Sequence, residues 1–120
     1  MRTLIVVRTQ FSAIHAWKDC PIEEVSFLRN PHRHMFFVEL KCQVTHANRQ
    51  LEFFVVKKKL ERCVDSYRDQ DIGSRSCEML AVNIAAAMEN ELNPKKDNGR
   101  TVIFCSVFED NENGAEWHYA

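Results

Sequence analysis

Three histidines are the residues of this chain whose type and spacing could do chemistry. His15 ends the run F-S-A-I-H at residues 11–15, and His32 and His34 begin the run H-R-H-M-F-F-V at residues 32–38. Both runs alternate like β-strands, in which side chains i and i+2 share a face, so His32 and His34 should point the same way. If His15 lies on a neighbouring antiparallel strand, three imidazoles meet. Zinc with three protein ligands and an open fourth position is the catalytic arrangement, whereas structural zinc normally has four protein ligands.

The sequence around these histidines resembles the 6-pyruvoyltetrahydropterin and 6-carboxytetrahydropterin synthases. That family shows F-x-A-x-H, then H-G-H with an aromatic residue and a β-rich strand, and this chain has F-S-A-I-H and H-R-H-M-F-F-V-E-L. Three more segments follow in the family's order. Residues 51–58 are similar to its D-F-x-x-L-K helix start, residues 76–84 to its P-T-x-E-N-L-A helix, and residues 107–109 to its closing V-x-E-T strand. The resemblance spans nearly the whole chain and indicates a divergent member.

The resemblance implies a Zn²⁺ ion held by the three histidines and a glutamate that anchors a pterin through its N–H groups. Glu109 matches this anchor, because a carboxylate can accept two hydrogen bonds from a pterin or guanine-like edge. The alternative for Glu109 is an ordinary surface charge at a strand end. Glu78 matches another recurrent family glutamate, but it also lies in the first turn of a predicted helix, where a carboxylate favours the helix dipole.

The catalytic residues of the family are less well matched. Its general-base cysteine stands four or six residues before the second zinc histidine, where this chain has Leu28 and Ser26. Leucine cannot take a proton, and a serine hydroxyl is a poor base without an activating partner. Glu23 and Glu24 are closer in sequence to the histidines than Cys20, and some relatives use a glutamate in place of the cysteine.

The family's Asp-His pair has no full counterpart either. Asp69-Gln70 or Asp65-Ser66 occupies its region, and Arg33 replaces the glycine between the two zinc histidines. Two hypotheses therefore stand. The chain is a divergent zinc-dependent lyase or hydrolase acting on a pterin such as dihydroneopterin triphosphate, with a replacement base among Ser26, Glu23, Glu24 and Asp69. Alternatively, it has lost catalysis and binds a ligand or a protein partner.

Composition indicates a compact globular protein. The 120 residues suit one domain spanning 1–120, with 45% hydrophobic and 28% charged residues. A formal net charge of −1 gives no electrostatic case for nucleic acid. No apolar stretch approaches the roughly 20 residues that span a bilayer, so we expect no membrane association and a cytoplasmic location. The five cysteines lack a C-x-x-C pair, which argues against a disulfide framework.

Changes of hydrophobic period predict the order ββααββ. Strands are expected over 3–16 and 32–46, a hairpin turn at 47–49, helices over 52–67 and from the N-cap Ser76 to Pro94, a turn over 95–99, and strands over 100–109 and 115–119. The resulting α+β fold is a four-stranded antiparallel sheet with both helices on one face. This is also the T-fold of the resembled family, whose sheets associate edge to edge, so the resemblance implies a homo-oligomer, a trimer or a hexamer.

Overall fold

The computed structural model describes residues 2–96 and 99–120. Its elements are β1 (Thr3–His15), β2 (His32–Val44), α1 (Phe53–Asp65), α2 (Cys77–Leu92), β3 (Val102–Glu109) and β4 (Asn113–His118). The predicted order ββααββ and the predicted α+β class are therefore confirmed. Of the turn predicted over 95–99, positions 97 and 98 lie outside the described residues.

Two connections differ from the prediction. The loop between β1 and β2 contains a 3₁₀ segment, Glu23–Arg29, which its sequence did not indicate because 3₁₀ turns are short and lack a hydrophobic period. The turn at 47–49 does not form a hairpin. It leads from β2 into α1, whose N-cap is Glu52, with a side-chain carboxylate that accepts from the N–H groups of Phe54 and Val55. The N-cap predicted for α2, Ser76, accepts from the N–H of Met79.

The four strands form one antiparallel sheet in the order β1-β2-β3-β4, so β1 and β4 are its edges. The long pairing of β1 with β2 runs from Thr3 opposite Val44 to His15 opposite His32. Residues 69–73 lie along the end of β1, where Ile14 donates to the Gln70 carbonyl at 2.9 Å. The last residues of β1 are therefore hydrogen-bonded on both sides, to β2 and to residues 69–73.

Both helices cover the same face of the sheet and bury one hydrophobic core. Alternate residues of β1 and β2 enter it, and their aromatic rings stack where Phe11 meets Phe36, with 5.2 Å between ring centroids. The helices supply one apolar stripe each, at four-residue spacing: Val56, Leu60 and Val64 from α1, and Leu80, Ile84 and Met88 from α2. The core ends at Phe36, directly beneath the histidines. None of the described helices is long and apolar enough to cross a membrane.

Candidate metal centre

The register of β1 and β2 brings the three histidines together at one end of the sheet. His15 is paired directly with His32, and His34 follows two residues later on the same face. The ring centroids of His15 lie 4.5 Å from His32 and 5.5 Å from His34, and those of His32 and His34 are 5.0 Å apart. One nitrogen of each ring lies within 4.8 Å of the others, a spacing from which a metal ion could be bound.

Backbone carbonyl groups fix the tautomers of two of the rings. The Nδ1 of His15 lies 2.8 Å from the carbonyl oxygen of Arg75, and the Nδ1 of His32 lies 2.8 Å from that of Asn30. A carbonyl oxygen can only accept, so both Nδ1 atoms carry the proton and donate it. A neutral ring then has a bare Nε2 available for a metal, which is the usual arrangement in histidine-ligated sites.

A carboxylate does the same for the third ring. The Nδ1 of His34 donates to Oδ2 of Asp110 at 2.6 Å, while Oδ1 of Asp110 accepts from the Met35 N–H at 3.0 Å. The hydrogen bond from His34 is the main cause that holds the pKa of the Asp110 carboxyl below its ordinary value. Asp110 is thus ionised at neutral pH and orients the imidazole as an outer-shell carboxylate does in many zinc sites.

Sequence reasoning did not single out Asp110. It occupies the turn after β3 with a φ of 53°, followed by Asn111 at 58°. Aspartate and asparagine tolerate this left-handed region better than other non-glycine residues, which explains their presence in a tight turn. The contact of Asp110 with His34 depends on the pairing of β2 with β3, which the local sequence does not specify.

His15 is the most enclosed of the three rings. The residue is 8% exposed, and its ring packs edge-on against Phe36 with centroids 5.3 Å apart. Its Nε2 is buried and has no hydrogen-bond partner. A buried polar atom without a partner is costly, so this nitrogen points to a ligand. Imidazole nitrogens suit zinc as well as copper, iron and nickel, and the donor set therefore fits a transition-metal ion.

Glu109 also faces the histidines. Its Oε2 lies 3.1 Å from Nε2 of His15 and its Oε1 lies 3.8 Å from Nε2 of His34. The shorter contact does not have hydrogen-bond geometry. The glutamate to which the family resemblance assigns ligand anchoring thus points toward the histidine nitrogens.

The buried Cys77, the first residue of α2, lies near Glu109. Burial raises the pKa of Cys77 to about 12, and the charges of Glu109 and Glu78 add to the shift. Burial likewise raises the pKa of Cys42 and of Cys105 to about 12. These three thiols are protonated at neutral pH and cannot serve as the missing general base.

The candidate bases of the β1–β2 loop lie in the 3₁₀ segment. Glu23 pairs with Arg29 at 3.5 Å and its side chain is 87% exposed. Glu24 is exposed and Ser26 half-buried. The Cys20 thiol is buried within the loop and contacts its carbonyl groups. Among the described contacts, no hydrogen bond or ion pair joins any of these side chains to the histidines, and their catalytic roles stay predictions.

Asp69 lies at the β1 edge of the sheet and faces Arg33, with no described contact to the histidines. Arg33 alternates with His32 and His34, so its side chain points away from them and donates to the Ser12 hydroxyl at 2.7 Å. Asp69 is 3.5 Å from this guanidinium and its side chain is 70% exposed. The cation that stands between the two histidines is therefore directed away from the face on which the three histidines cluster.

Glu78 lies in the first turn of α2, as predicted. It lines an open groove of about 660 Å³ together with Arg75, Met79 and Val82. None of the three histidines lines this groove. The groove nevertheless begins at Arg75, whose carbonyl holds His15, so Glu78 is near the centre without reaching the histidines.

The structure is similar to solved structures of 6-pyruvoyl tetrahydropterin synthases. The Caenorhabditis elegans enzyme matches 100% of this chain and 97% of its own with a TM-score of 0.76 and 12% identity. The Plasmodium vivax enzyme matches 99% of this chain and 98% of its own with a TM-score of 0.74 and 14% identity. An uncharacterised protein from Wolinella succinogenes matches with a TM-score of 0.78 and 12% identity, covering 100% and 99%.

These likenesses confirm the resemblance found in the sequence at the level of the fold. The predicted T-fold is confirmed with it. Neither protein-family models nor the sequences of curated proteins gave a match. Two further Plasmodium vivax structures are of variants in which a glutamate described as a catalytic residue is replaced by cysteine or by alanine.

Proposed function

We propose that this chain is a zinc-binding protein of the 6-pyruvoyl- and 6-carboxytetrahydropterin synthase type that holds a pterin or guanine-like ligand beside the metal. The proposal is supported by one observation above all. Each of three clustered histidines has its Nδ1 held by an acceptor, which leaves all three Nε2 atoms available to one ion. A bound zinc ion would polarise oxygen atoms on the ligand's side chain and make neighbouring protons more acidic.

The proposed ligand is anchored by Glu109. A carboxylate that accepts two N–H bonds from a pterin edge gives charge-assisted, directional recognition. The Glu109 side chain is 29% exposed and so retains access to a ligand from outside the sheet. In this proposal Glu78 and the Arg75–Glu78 groove border the same ligand, and the protonated Cys77 thiol packs beneath it.

The metal is tested by measuring zinc in purified wild type and in the double variant His32→Ala, His34→Ala. We expect one zinc per wild-type chain and essentially none in the variant, because the single remaining imidazole leaves the ion to water. His46→Ala is the matched control, since His46 lies in the bend after β2. Equal zinc in the wild type and the double variant would refute the metal centre.

Whether the protein catalyses a reaction is a separate proposal, with two alternatives. A divergent lyase on dihydroneopterin triphosphate needs a base, and the Plasmodium vivax variants indicate that a glutamate can be a catalytic residue in such an enzyme. Glu23 and Glu24 are the glutamates that this chain offers before His32. The inactive alternative is favoured by Leu28 at one of the family's cysteine positions, and by the protonated state of the buried thiols.

Incubation of the zinc-loaded protein with dihydroneopterin triphosphate, followed by mass analysis, distinguishes the two. A new pterin product that is lost in Glu23→Gln, Glu24→Gln, Ser26→Ala or Asp69→Asn, with ligand binding intact, would identify the replacement base. Binding without turnover would support the inactive, ligand-binding alternative. If calorimetry detects no pterin or purine binding, the ligand pocket is refuted and a role in protein interaction is the better interpretation.

We also propose that the chain works as a homo-oligomer, a trimer or a hexamer. The strands β1 and β4 are the two edges of the sheet, and residues 69–73 cover only the end of β1. Open edges readily pair with further strands. Association of one copy's β1 with another's β4 would satisfy the part of these edges that residues 69–73 leave open.

A further inference from the structure

The close approach of Glu109 to the histidines calls for a positive charge between them. With its Nδ1 proton donated to the Arg75 carbonyl, a neutral His15 has only a lone pair at Nε2. Oε2 of Glu109 is also an acceptor, 3.1 Å away. Two acceptors at this separation repel one another unless a proton or a metal ion lies between them.

The geometry argues against a proton. A proton on Nε2 of His15 would lie in the ring plane, and the Glu109 oxygen is not placed to accept it, because Nε2 has no hydrogen-bond partner. An oxygen that is near a ring nitrogen but off its axis is instead the arrangement of two ligands on one ion. Ligand atoms about 2.0–2.1 Å from a tetrahedral zinc lie about 3.3–3.4 Å from each other. Oε2 of Glu109 is close to this separation from Nε2 of His15, at 3.1 Å, while its other oxygen, Oε1, lies 3.8 Å from Nε2 of His34.

We infer that Glu109 is the fourth metal ligand in the ligand-free protein, so that the resting centre is closed by three histidines and one carboxylate. The inference rests on the proposed metal centre and corrects one feature of it, since the sequence predicted an open fourth position. Carboxylate oxygen and imidazole nitrogen are both ordinary zinc ligands. With one carboxylate and three neutral imidazoles around Zn²⁺, the net charge of the site is +1.

This assignment gives Glu109 two roles that exclude each other. A carboxylate bound to the metal cannot at the same time accept the N–H groups of a pterin. When Glu109 anchors a ligand, its carboxylate would no longer hold the metal, and the three histidines would hold it alone.

The inference is tested with cobalt, whose visible absorption reports coordination number, in apoprotein variants. Glu109→Gln should weaken binding of both Co²⁺ and Zn²⁺ by roughly tenfold or more, since loss of even an outer-shell partner weakens metal binding by about 10–100-fold. The cobalt spectrum of the variant should also differ from that of the wild type. Glu116→Gln on β4 is the matched control, because it is exposed and points to the other face of the sheet. It should leave affinity and spectrum unchanged.

Addition of dihydroneopterin completes the test. It should change the cobalt spectrum of the wild type, as the carboxylate leaves the metal, and change that of Glu109→Gln much less. Equal affinities and identical spectra for wild type and Glu109→Gln would overturn the fourth-ligand assignment while the metal centre itself stands. Failure of the wild type to bind either metal would instead refute the proposed function. A wild-type spectrum unaffected by bound dihydroneopterin would overturn the release of Glu109.

Discussion

A glutamate lies against the sheet at each end of β3, and the two carboxylates have opposite surroundings. At the start of the strand, Glu89 of α2 accepts from the N–H groups of Val102 at 2.7 Å and Thr101 at 3.1 Å, and from the Asn93 amide at 3.0 Å. At the other end, the carboxylate of Glu109 faces two histidine nitrogens that offer it no proton in hydrogen-bond geometry. The first carboxylate is satisfied by the protein, whereas the second is arranged for something the chain does not itself supply.

This difference separates structure from function within one fold. A buried carboxylate surrounded by donors fixes the beginning of a strand and contributes to stability. A carboxylate among acceptors costs stability until a cation binds, and such frustrated groups are concentrated at functional sites. The same contrast applies to His15. Its buried Nε2 has no hydrogen-bond partner, whereas the buried side chains of the two helices form an ordinary hydrophobic core.

The largest effect on stability should come from Glu89→Ala. The change leaves two backbone N–H groups without their acceptor and removes one of the acceptors of the Asn93 amide, in a buried site, which we expect to cost about 3 kcal/mol or more. Glu109→Ala in the metal-free protein should cost much less, because it removes a close contact between acceptors. Urea unfolding of both variants measures the difference. Similar losses would mean that the two carboxylates are equally structural.

The pH dependence of the Glu89 end follows from the same contacts. Burial alone would raise the pKa of its carboxyl, but hydrogen bonds from two backbone N–H groups and Asn93, with the Arg100 charge, outweigh it and lower the pKa. A carboxyl with a depressed folded-state pKa stabilises the protein above its unfolded-state pKa, and that contribution is lost as pH falls through the folded-state value. Glu89→Gln should therefore be less stable at neutral pH and lose less stability on acidification than the wild type.

The next effect should appear at the metal end, in Asp110→Asn. Asparagine tolerates the left-handed backbone at this position and can still accept from the Met35 N–H. Its NH₂ group would then face Nδ1 of His34, favouring the tautomer with the proton on Nε2, where the metal must bind. We expect zinc affinity to fall by about 10–100-fold with little loss of stability. Glu112→Gln in the same turn is the control, and an unchanged affinity in Asp110→Asn would contradict the orienting role.

The sequence predicted this fold well for a physical reason. The strands and helices follow from hydrophobic periods and from caps such as Ser76, which act locally. The histidines could be grouped because i and i+2 share a strand face and because F-x-A-x-H and H-x-H recur in one family. The partners that orient the rings could not be predicted, since two are backbone carbonyl groups, which every residue has, and the third reaches His34 only through the register of β3 on β2.

The surroundings of Glu109 could not be predicted from the sequence either. The family resemblance implied a ligand anchor at this position, and nothing in the sequence indicated that its carboxylate would approach His15. That contact requires β3 to lie beside β2 with Phe36 opposite Glu109, so that both side chains share the face of the histidines. The proposed replacement base is harder still to predict, because the loop that carries Glu23 and Glu24 lacks a repeating hydrophobic pattern that would fix its path.

The smallest effect should come from Glu78→Gln, which separates a helix-dipole role from a ligand-binding role. Glu78 is exposed in the first turn of α2, where loss of a negative charge should cost about 0.3–1 kcal/mol. Glu91→Gln is the matched control, because Glu91 lies in the last turn of the same helix, where removing a negative charge should have no cost or a slight benefit. If Glu78 only stabilises the helix, Glu78→Gln should lower stability by this small amount and leave dihydroneopterin affinity unchanged. A clear loss of dihydroneopterin affinity by calorimetry, measured at saturating zinc, would instead assign Glu78 to the ligand pocket. The proposed site would then include the groove that Glu78 lines beside the histidines.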